Sequence, residues 1–383
     1  MRTLILATRP TQSDRCDPAP CGLLVQTLVE RGHDVHLVCS ADEPLRSYEA
    51  LTVWPVHASR SPGTPAFATR AFEAAKAASP ECVICERPHL ALGRAVAARA
   101  KASFVPLLTD RDPCKLTPVR RVQASLDDRL LRAADLCIAA GPLQADTAMT
   151  RGARRVIELP GVSGITPIDQ PPSGWLRRHL GLTEGILAIA WGELSPEAGT
   201  DVLIEGVKVA ADADVDIHAA IFGGDETSID RYEAKAERLG VFNRVHLLGG
   251  WSAAKLGTLL PEADILVEPS LEPSRTPRSL YSFMASHRPV LLAELPGRER
   301  LIKPGACAIA PGDRLGMGHV LAELATHPEM RSRYAQAASE TARAEHSSNA
   351  FAGALDQFER LFTGPEVIDT NTDSASASHS IGR

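Results

Sequence analysis

Short apolar runs recur along the chain, and each is followed by a longer stretch with apolar residues three and four apart. TLILAT, VHLVCS, CVICE, FVPLLT, DLCIAAG and RVIELPG have strand length. Between them, GLLVQTLVERGHDV, AFATRAFEAAKAAS, HLALGRAVAARAKA, RRVQASLDDRLLRAA and QADTAMTRGA have helical spacing, with Gly32 stopping the first. Strands alternating with helices of about ten or more residues predict a parallel sheet with helical crossovers. Residues 161–175, GVSGITPIDQPPSGW, are rich in Gly, Pro and Ser and read as a linker. The alternation then restarts with ILAIAWG, TDVLIEGVKVAAD, DIHAAIFGG, SIDRYEAKAERLG, RVHLLGG, SAAKLGTLLPEA, DILVEPS, RSLYSFMAS and PVLLAE, and ends near ACAIAPG. Two such runs predict two doubly wound, Rossmann-like domains facing a cleft, at 1–160 and 176–345. Residues 328–362 read as a long helical stretch. Residues 363–383 are small, polar and low in hydrophobicity, as in a disordered tail.

Composition narrows the function. The 383 residues suit two domains of ordinary size, and 44% hydrophobic residues are enough for two cores. A net charge of −6 gives no footprint for nucleic acid or an anionic membrane. Aromatics at 4% disfavour stacking platforms for single strands. The eight cysteines, at 16, 21, 39, 82, 85, 114, 137 and 307, fall largely in apolar runs, where Cys behaves as a small buried hydrophobe. Cys82 and Cys85 form a lone CxxC inside a strand pattern, without the second pair of a zinc ribbon. A reduced, cytoplasmic setting follows. MRTLILATRP lacks the apolar core of a secretion signal, and no window reaches the ~18 apolar residues of a spanning helix. Membrane contact is expected to be peripheral at most, and no metal cluster is expected.

Residues 191–206, WGELSPEAGTDVLIEG, carry the chemistry worth pursuing. A strand, a turn and a helix opening commonly cradle phosphate on backbone N–H groups, usually with a basic side chain nearby. The turn supplies Gly192, Glu193, Ala198 and Gly199, two of them where a cation is expected. Gly223 in FGGD fits a second strand-end turn. Glu197 and Asp201 read as charges that favour the helix dipole. His33 reads as structural, His287 as packing or capping, and Arg298 and Arg300 as solvated. Asp110 and Asp112 sit in a predicted cleft-facing loop, as acceptor-side candidates.

GELSPEAGTDVLIEG, IFGGDE, the string LGVFNRVHLLGGWSAAKLGTLLPEADILVEPS with its continuation to ASHRPVLLAELPGRERLI, and IAPGD occur in one order. Over residues 186–345 this half resembles the retaining nucleotide-sugar glycosyltransferases of the GT-B fold, glycosyltransferase family four. The first half is compatible through LVERGHDVHLV, LRAADLCIAAG and VIELPGV. The resemblance implies a nucleotide-sugar donor, a glycan, lipid or small-molecule acceptor, no cofactor, and a last helix, 346–362, crossing back onto the first domain. The family meets the donor diphosphate with an Arg in G-R-L and a Lys in K-G. Here these read Gly192-Glu193-Leu194 and Ala198-Gly199. In the later S-P-x-K-x-x-E-Y-M-A-x-G-x-P-V block the Lys is Ser279, the Glu that binds ribose is Ser282, and the Gly is His287. Thr276, Pro277, Met284, Ala285, Pro289 and Val290 occupy scaffold positions of that block. Glu272 is a candidate for the family's upstream Glu, and Arg275 and Arg278 for displaced phosphate contacts. No His follows the first domain's FVPLLT strand. A glutamate beside a diphosphate repels it by about a kcal/mol or more, and each lost cation contact costs a further ~1.5–3 kcal/mol. Two readings stay open. One is transfer with a moved cation. The other is a catalytically degenerate homologue, binding or scaffolding beside an active glycosyltransferase in polysaccharide or glycoconjugate biosynthesis. An unrelated GT-B epimerase or phosphorylase is disfavoured by the VEPS to ASHRPV block.

Overall fold

A computed structural model describes residues 1–7, 20–40, 50–56, 65–87, 89–109, 118–162, 173–251, 253–272 and 279–363. The first alternation forms seven parallel strands: β1 (Arg2–Ala7), β2 (Asp34–Ser40), β3 (Leu51–Val56), β4 (Cys82–Glu86), β5 (Ser103–Leu108), β6 (Cys137–Ala139) and β7 (Val156–Glu158). They lie in the order β3-β2-β1-β4-β5-β6-β7, so the winding reverses between β1 and β4. Helices α1 (Pro20–Glu30), α2 (Pro65–Ala78), α3 (Leu90–Ala100), α4 (Pro118–Ala133) and α5 (Pro142–Thr150) make the connections. The sequence pattern does not announce β3, LTVWPV. It is half-exposed and carries Pro55, which a strand tolerates at a sheet edge, and β3 is the edge.

The second alternation opens with α6 (Trp175–His179). The buried carboxylate of Glu262 holds its first turn, accepting the backbone N–H of Trp175 at 3.0 Å and of Leu176 at 2.8 Å. Then follow β8 (Ile186–Trp191), α7 (Thr200–Asp212), β9 (Ile217–Phe222), α8 (Glu226–Arg238), β10 (Val245–Leu247), α9 (Ala253–Leu259), β11 (Ile265–Glu268), α10 (Ser279–Ala285), β12 (Val290–Ala293), α11 (Glu299–Gly305) and β13 (Cys307–Ile309). The six strands are parallel in the order β10-β9-β8-β11-β12-β13, with the reversal between β8 and β11. Runs such as ILAIAW read as continuously apolar because helices cover both faces of a parallel sheet. α7 and α12 (Arg314–Thr326) pack one face through Leu203, Val207, Met317 and Leu321. The other face is covered from α10 and α13 (Pro328–Glu345) by Phe283, Met284 and Ala338. All six described cysteines are free and buried.

The stretch 328–362 is two helices. α13 ends at Glu345, the chain turns at His346, and α14 (Ser348–Thr363) begins. Phe351, Leu355 and Phe358 of α14 join the first domain's core with Ile5, Leu24 and Leu28. The chain therefore starts in the first domain, builds the second and returns. Charges fasten the return. Arg31 reaches Asp356 at 2.8 Å and Glu359 at 3.0 Å, and His33 Nε2 lies 2.9 Å from Glu359. His33 is thus structural in a specific sense, because it anchors α14. Among the described residues no helix is long and apolar enough to cross a membrane.

Burial alone would raise the Glu359 pKa, but the hydrogen bonds and charges of Arg31 and His33 hold it below the ordinary carboxylate value. A depressed folded-state pKa contributes stability above the unfolded value, and that contribution is lost as pH falls through the folded value. Glu359→Gln should therefore lower the thermal midpoint at neutral pH and flatten its decline toward about pH 3, as measured by melts across that range.

Candidate functional site

In open parallel sheets the loops leaving the strand ends at the reversal form the binding crevice. In the second sheet these are the loops after β8 and β11. The β8 loop turns tightly: the Ala198 N–H donates to Ser195 Oγ at 3.1 Å and the Gly199 N–H to Pro196 O at 3.0 Å. Gly199 caps α7 with φ 72°, a left-handed value that glycine adopts without steric cost. It is buried against the β11 loop, where a Cβ would stand 1.9 Å from Pro269 O. The Leu271 N–H donates to Glu197 O at 2.8 Å and closes the same contact. On the other side, a Cβ on Gly223, at φ 129°, would stand 1.8 Å from Gly192 O. The Gly223 N–H donates to Gly249 O at 2.6 Å. Backbone thus meets backbone on both flanks of the turn, leaving no room for a side chain at either glycine.

The side chains around this cradle are acidic or small. Glu193 is exposed, and Ala198 is half-buried. Asp201, in the first turn of α7, is committed to Lys235 and to Tyr232 Oη, the latter at 3.1 Å. Its role is therefore to tie α7 to α8. Ser279 Oγ donates to Glu268 Oε2 at 3.0 Å, and Ser282 is 1% exposed. The Glu272 N–H donates to Ser270 Oγ at 3.3 Å. Arg275 and Arg278, and the acceptor-side candidates Asp110 and Asp112, lie outside the described residues.

Two charges at this crevice were missed or misread in the sequence. Glu268, the last residue of β11, is buried and also accepts the Ser270 N–H at 3.3 Å. Arg298, expected in solvent, is 1% exposed. Its Nη1 donates to Ala293 O at 3.2 Å and to Ser270 O at 3.5 Å, while Nη2 is buried with no partner among the described residues. Burial lowers the guanidinium pKa, and the negative charge of Glu268 opposes that fall. Together the two brace the chain on either side of Ser270. A Glu closing an apolar strand, ILVE, was the available signal. Nothing in LPGRERLI separates a buried Arg298 from an exposed Arg300. Arg300 is the more exposed of the two, but it also has a partner: its Nη1 lies 3.1 Å from Glu158, across the cleft on β7.

His287, at the family's glycine position, has φ 58°, and its Nε2 lies 3.2 Å from Ser339 Oγ. The left-handed helix end survives there with a different residue. In the first domain, Glu86 at the end of β4 accepts from Thr109 Oγ1 at 2.8 Å, and Arg87 Nε donates to Asp127 at 2.9 Å. Burial raises the Asp127 pKa, and Arg87 counters it. Neither Glu86 nor Arg87 was singled out in the sequence. ICERPH, polar residues closing an apolar run, is their only mark. Among the described residues no group of three or more His, Cys, Asp or Glu is placed to hold a metal ion.

Residues 176–341 match the family described as Glycosyl transferases group 1, and residues 21–160 match the Glycosyl transferase 4-like domain. No curated protein matches the sequence. Among solved structures, Alr3699/HepE from Anabaena in complex with UDP aligns with a TM-score of 0.74 at 18% identity, covering 94% of this chain and 99% of that one. The same Anabaena protein in complex with UDP-glucose aligns at 0.71 and 18%, covering 94% and 99%. A glycosyltransferase from Rickettsia africae aligns at 0.74 with 13% identity, covering 94% and 98%. WaaG, a glycosyltransferase involved in lipopolysaccharide biosynthesis, aligns at 0.65 with 18%, covering 95% and 100%.

Gly199→Ala adds a methyl group into Pro269 O at a left-handed backbone position. It should destabilise the second domain by about 2–4 kcal/mol in denaturant unfolding. Arg298→Met removes the hydrogen bonds to Ser270 O and Ala293 O and the positive charge near Glu268, and should cost about 1–3 kcal/mol in the same measurement. A double-mutant cycle with Glu268→Leu, read by the same unfolding, should give a coupling of about 0.5–3 kcal/mol between the two charges.

Proposed function

We propose, from the premise that this chain belongs to the group 1 glycosyltransferases of GT-B fold, that it binds a nucleoside diphosphate sugar at the β8 and β11 loops and transfers the sugar to an acceptor lying against the first domain. The observation that carries the reading is the backbone cradle. Gly199 on Pro269 and Gly223 on Gly192 keep the backbone frame of the turns at the sheet reversal, where folds of this kind hold their ligands. The complexes of the Anabaena protein with UDP and UDP-glucose support a donor of this class. Arg275 and Arg278 are the proposed sources of the positive charge that Glu193 and Ala198 do not supply. Arg suits bidentate contact with phosphate. The acceptor is proposed to be a glycan, a lipid or a small molecule, and the setting cytoplasmic. The transfer is read as needing no metal or cofactor.

A second reading has its own observation. Ser282, where the family's ribose-binding Glu stands, is 1% exposed, and the Ser279 hydroxyl is engaged by Glu268. A homologue that has lost donor chemistry would act as a binding or scaffolding subunit beside an active transferase.

Calorimetry with UDP, GDP and their sugars tests both. The expected result is measurable nucleotide binding that weakens in Arg275→Ala or Arg278→Ala. In Glu193→Arg/Ala198→Lys it should tighten by roughly 10- to 100-fold, the worth of about 1.5–3 kcal/mol of restored charged contacts. No nucleotide binding in the natural chain, with tight binding in the cation-restored variant, establishes the degenerate reading. No binding in either folded protein removes the donor proposal.

A further inference from the structure

The chain's net charge of −6 conceals an uneven distribution. Residues 87–155 hold thirteen Lys and Arg, six Asp and no Glu, a net charge of +7. The rest of the chain therefore sums to −13. This basic stretch runs from just after β4 to just before β7 and builds α3, α4 and α5.

The three helices form one layer. They make the successive crossovers from β4 to β5, β6 and β7, all in one direction along the sheet, so right-handed connections put them on one face. Packing agrees. Val96 of α3 shares a core with Leu130 of α4, and Leu131 of α4 shares one with Ala148 of α5. Helices α1 and α14 cover the opposite face.

The outer surface of this layer is basic. Arg94 and Arg99 on α3, Arg129 and Arg132 on α4, and Arg154 and Arg155 in the turn after α5 are all exposed. Asp127 and Asp128 are already paired, with Arg87 and Arg151. Among the described residues of the stretch, the exposed acids are Asp135 and Asp146. Arg99 and Arg132 sit in last helical turns, where the helix dipole favours a cation. The dipole does not account for the other four arginines, or for a stretch without Glu.

Apolar side chains stand among these charges. Leu126 is 49% exposed and Met149 56%, and each lies two residues before a member of the Asp128–Arg151 ion pair that joins α4 to the end of α5. The one Phe, Tyr or Trp of the stretch is Phe104, and it is buried. A single-stranded nucleic acid needs aromatic faces for its bases. A lipid surface instead takes aliphatic side chains at the acyl boundary, with long cations spread around them at headgroup level.

We propose that the outer face of the α3–α4–α5 layer docks on an anionic lipid surface. The arginines meet headgroup phosphates, and Leu126 and Met149 enter the boundary beneath them. The contact lies on the flank of the first domain, so the strand ends that face the cleft stay uncovered. The docking face stands whether or not the donor crevice is active.

Flotation of the full chain with lipid vesicles tests this. The chain should bind vesicles of phosphatidylcholine mixed with phosphatidylglycerol, and bind phosphatidylcholine alone at least about tenfold more weakly. Each basic residue near an anionic surface contributes about fivefold, so Arg129→Gln/Arg155→Gln should weaken anionic-vesicle binding by roughly 10- to 25-fold. Added salt should weaken the natural chain's binding through screening. Leu126→Ser/Met149→Ser should weaken it by about tenfold while the salt dependence persists. Arg238→Gln/Arg343→Gln makes the same charge change at exposed positions of the second domain and should leave binding unchanged. All three variants should keep the natural thermal midpoint, since every replaced side chain is exposed. No binding to anionic vesicles overturns the proposal, as does undiminished binding in either first-domain variant or an equal loss in the second-domain one. RNA oligonucleotide binding without vesicle binding, lost with the arginines and indifferent to Leu126 and Met149, assigns the layer to nucleic acid instead.

Discussion

The second domain depends on backbone touching backbone at the reversal of its sheet. Gly199 sits against the Pro269 carbonyl and Gly223 against the Gly192 carbonyl, with no space for a Cβ at either position. These contacts fix where the β8 loop ends, where α7 begins and how the β11 loop passes beside it. Surrounding side chains can change without moving that frame. The turn thus holds its shape with an exposed Glu193 and a half-buried Ala198 beside it.

The same separation of frame from chemistry runs through the β11–α10 region. His287 keeps the left-handed helix end usually given to glycine, at φ 58°, and its ring gains a contact with Ser339. Beneath the loop, Glu268 and Arg298 place opposite charges in a buried setting where apolar side chains would pack at lower cost. They grip the chain on both sides of Ser270 and also engage Ser279. The loop's anchor is electrostatic and internal.

The cleft is set by a third element. α14 returns to the first domain and buries Phe351, Leu355 and Phe358 there, while α13 stays with the second. His346 marks the crossing, with its ring 4.6 Å from that of Tyr281 and its Nδ1 on Gly161 O. Glycine at 161 lets the Tyr281 ring close on the backbone, since a Cβ there would stand 2.0 Å from it. The hinge is thus a packed aromatic joint beside an open, acidic cavity, and Arg300 bridges it to Glu158.

What the sequence determined by itself was periodic or local. Apolar runs followed by helical spacing gave two parallel sheets, because burial on both faces writes itself into every residue of a strand. The glycines of WGELSPEAGT and FGGD marked the turns, because a left-handed backbone narrows the choice of residue. The edge strand β3 escaped notice, since Pro55 and half-exposed positions break the pattern of a buried strand. Only the tertiary structure decided the rest. The break at His346 depends on which domain receives α14. The burial of Arg298 depends on β11 and β12 lying side by side, since its partners Ser270 and Ala293 are 28 and 5 residues away. Glu158 and Arg300, 142 residues apart, meet only because two separately built domains face each other. Contacts of this kind leave no period in the chain, because their energy comes from neighbours that the fold brings together.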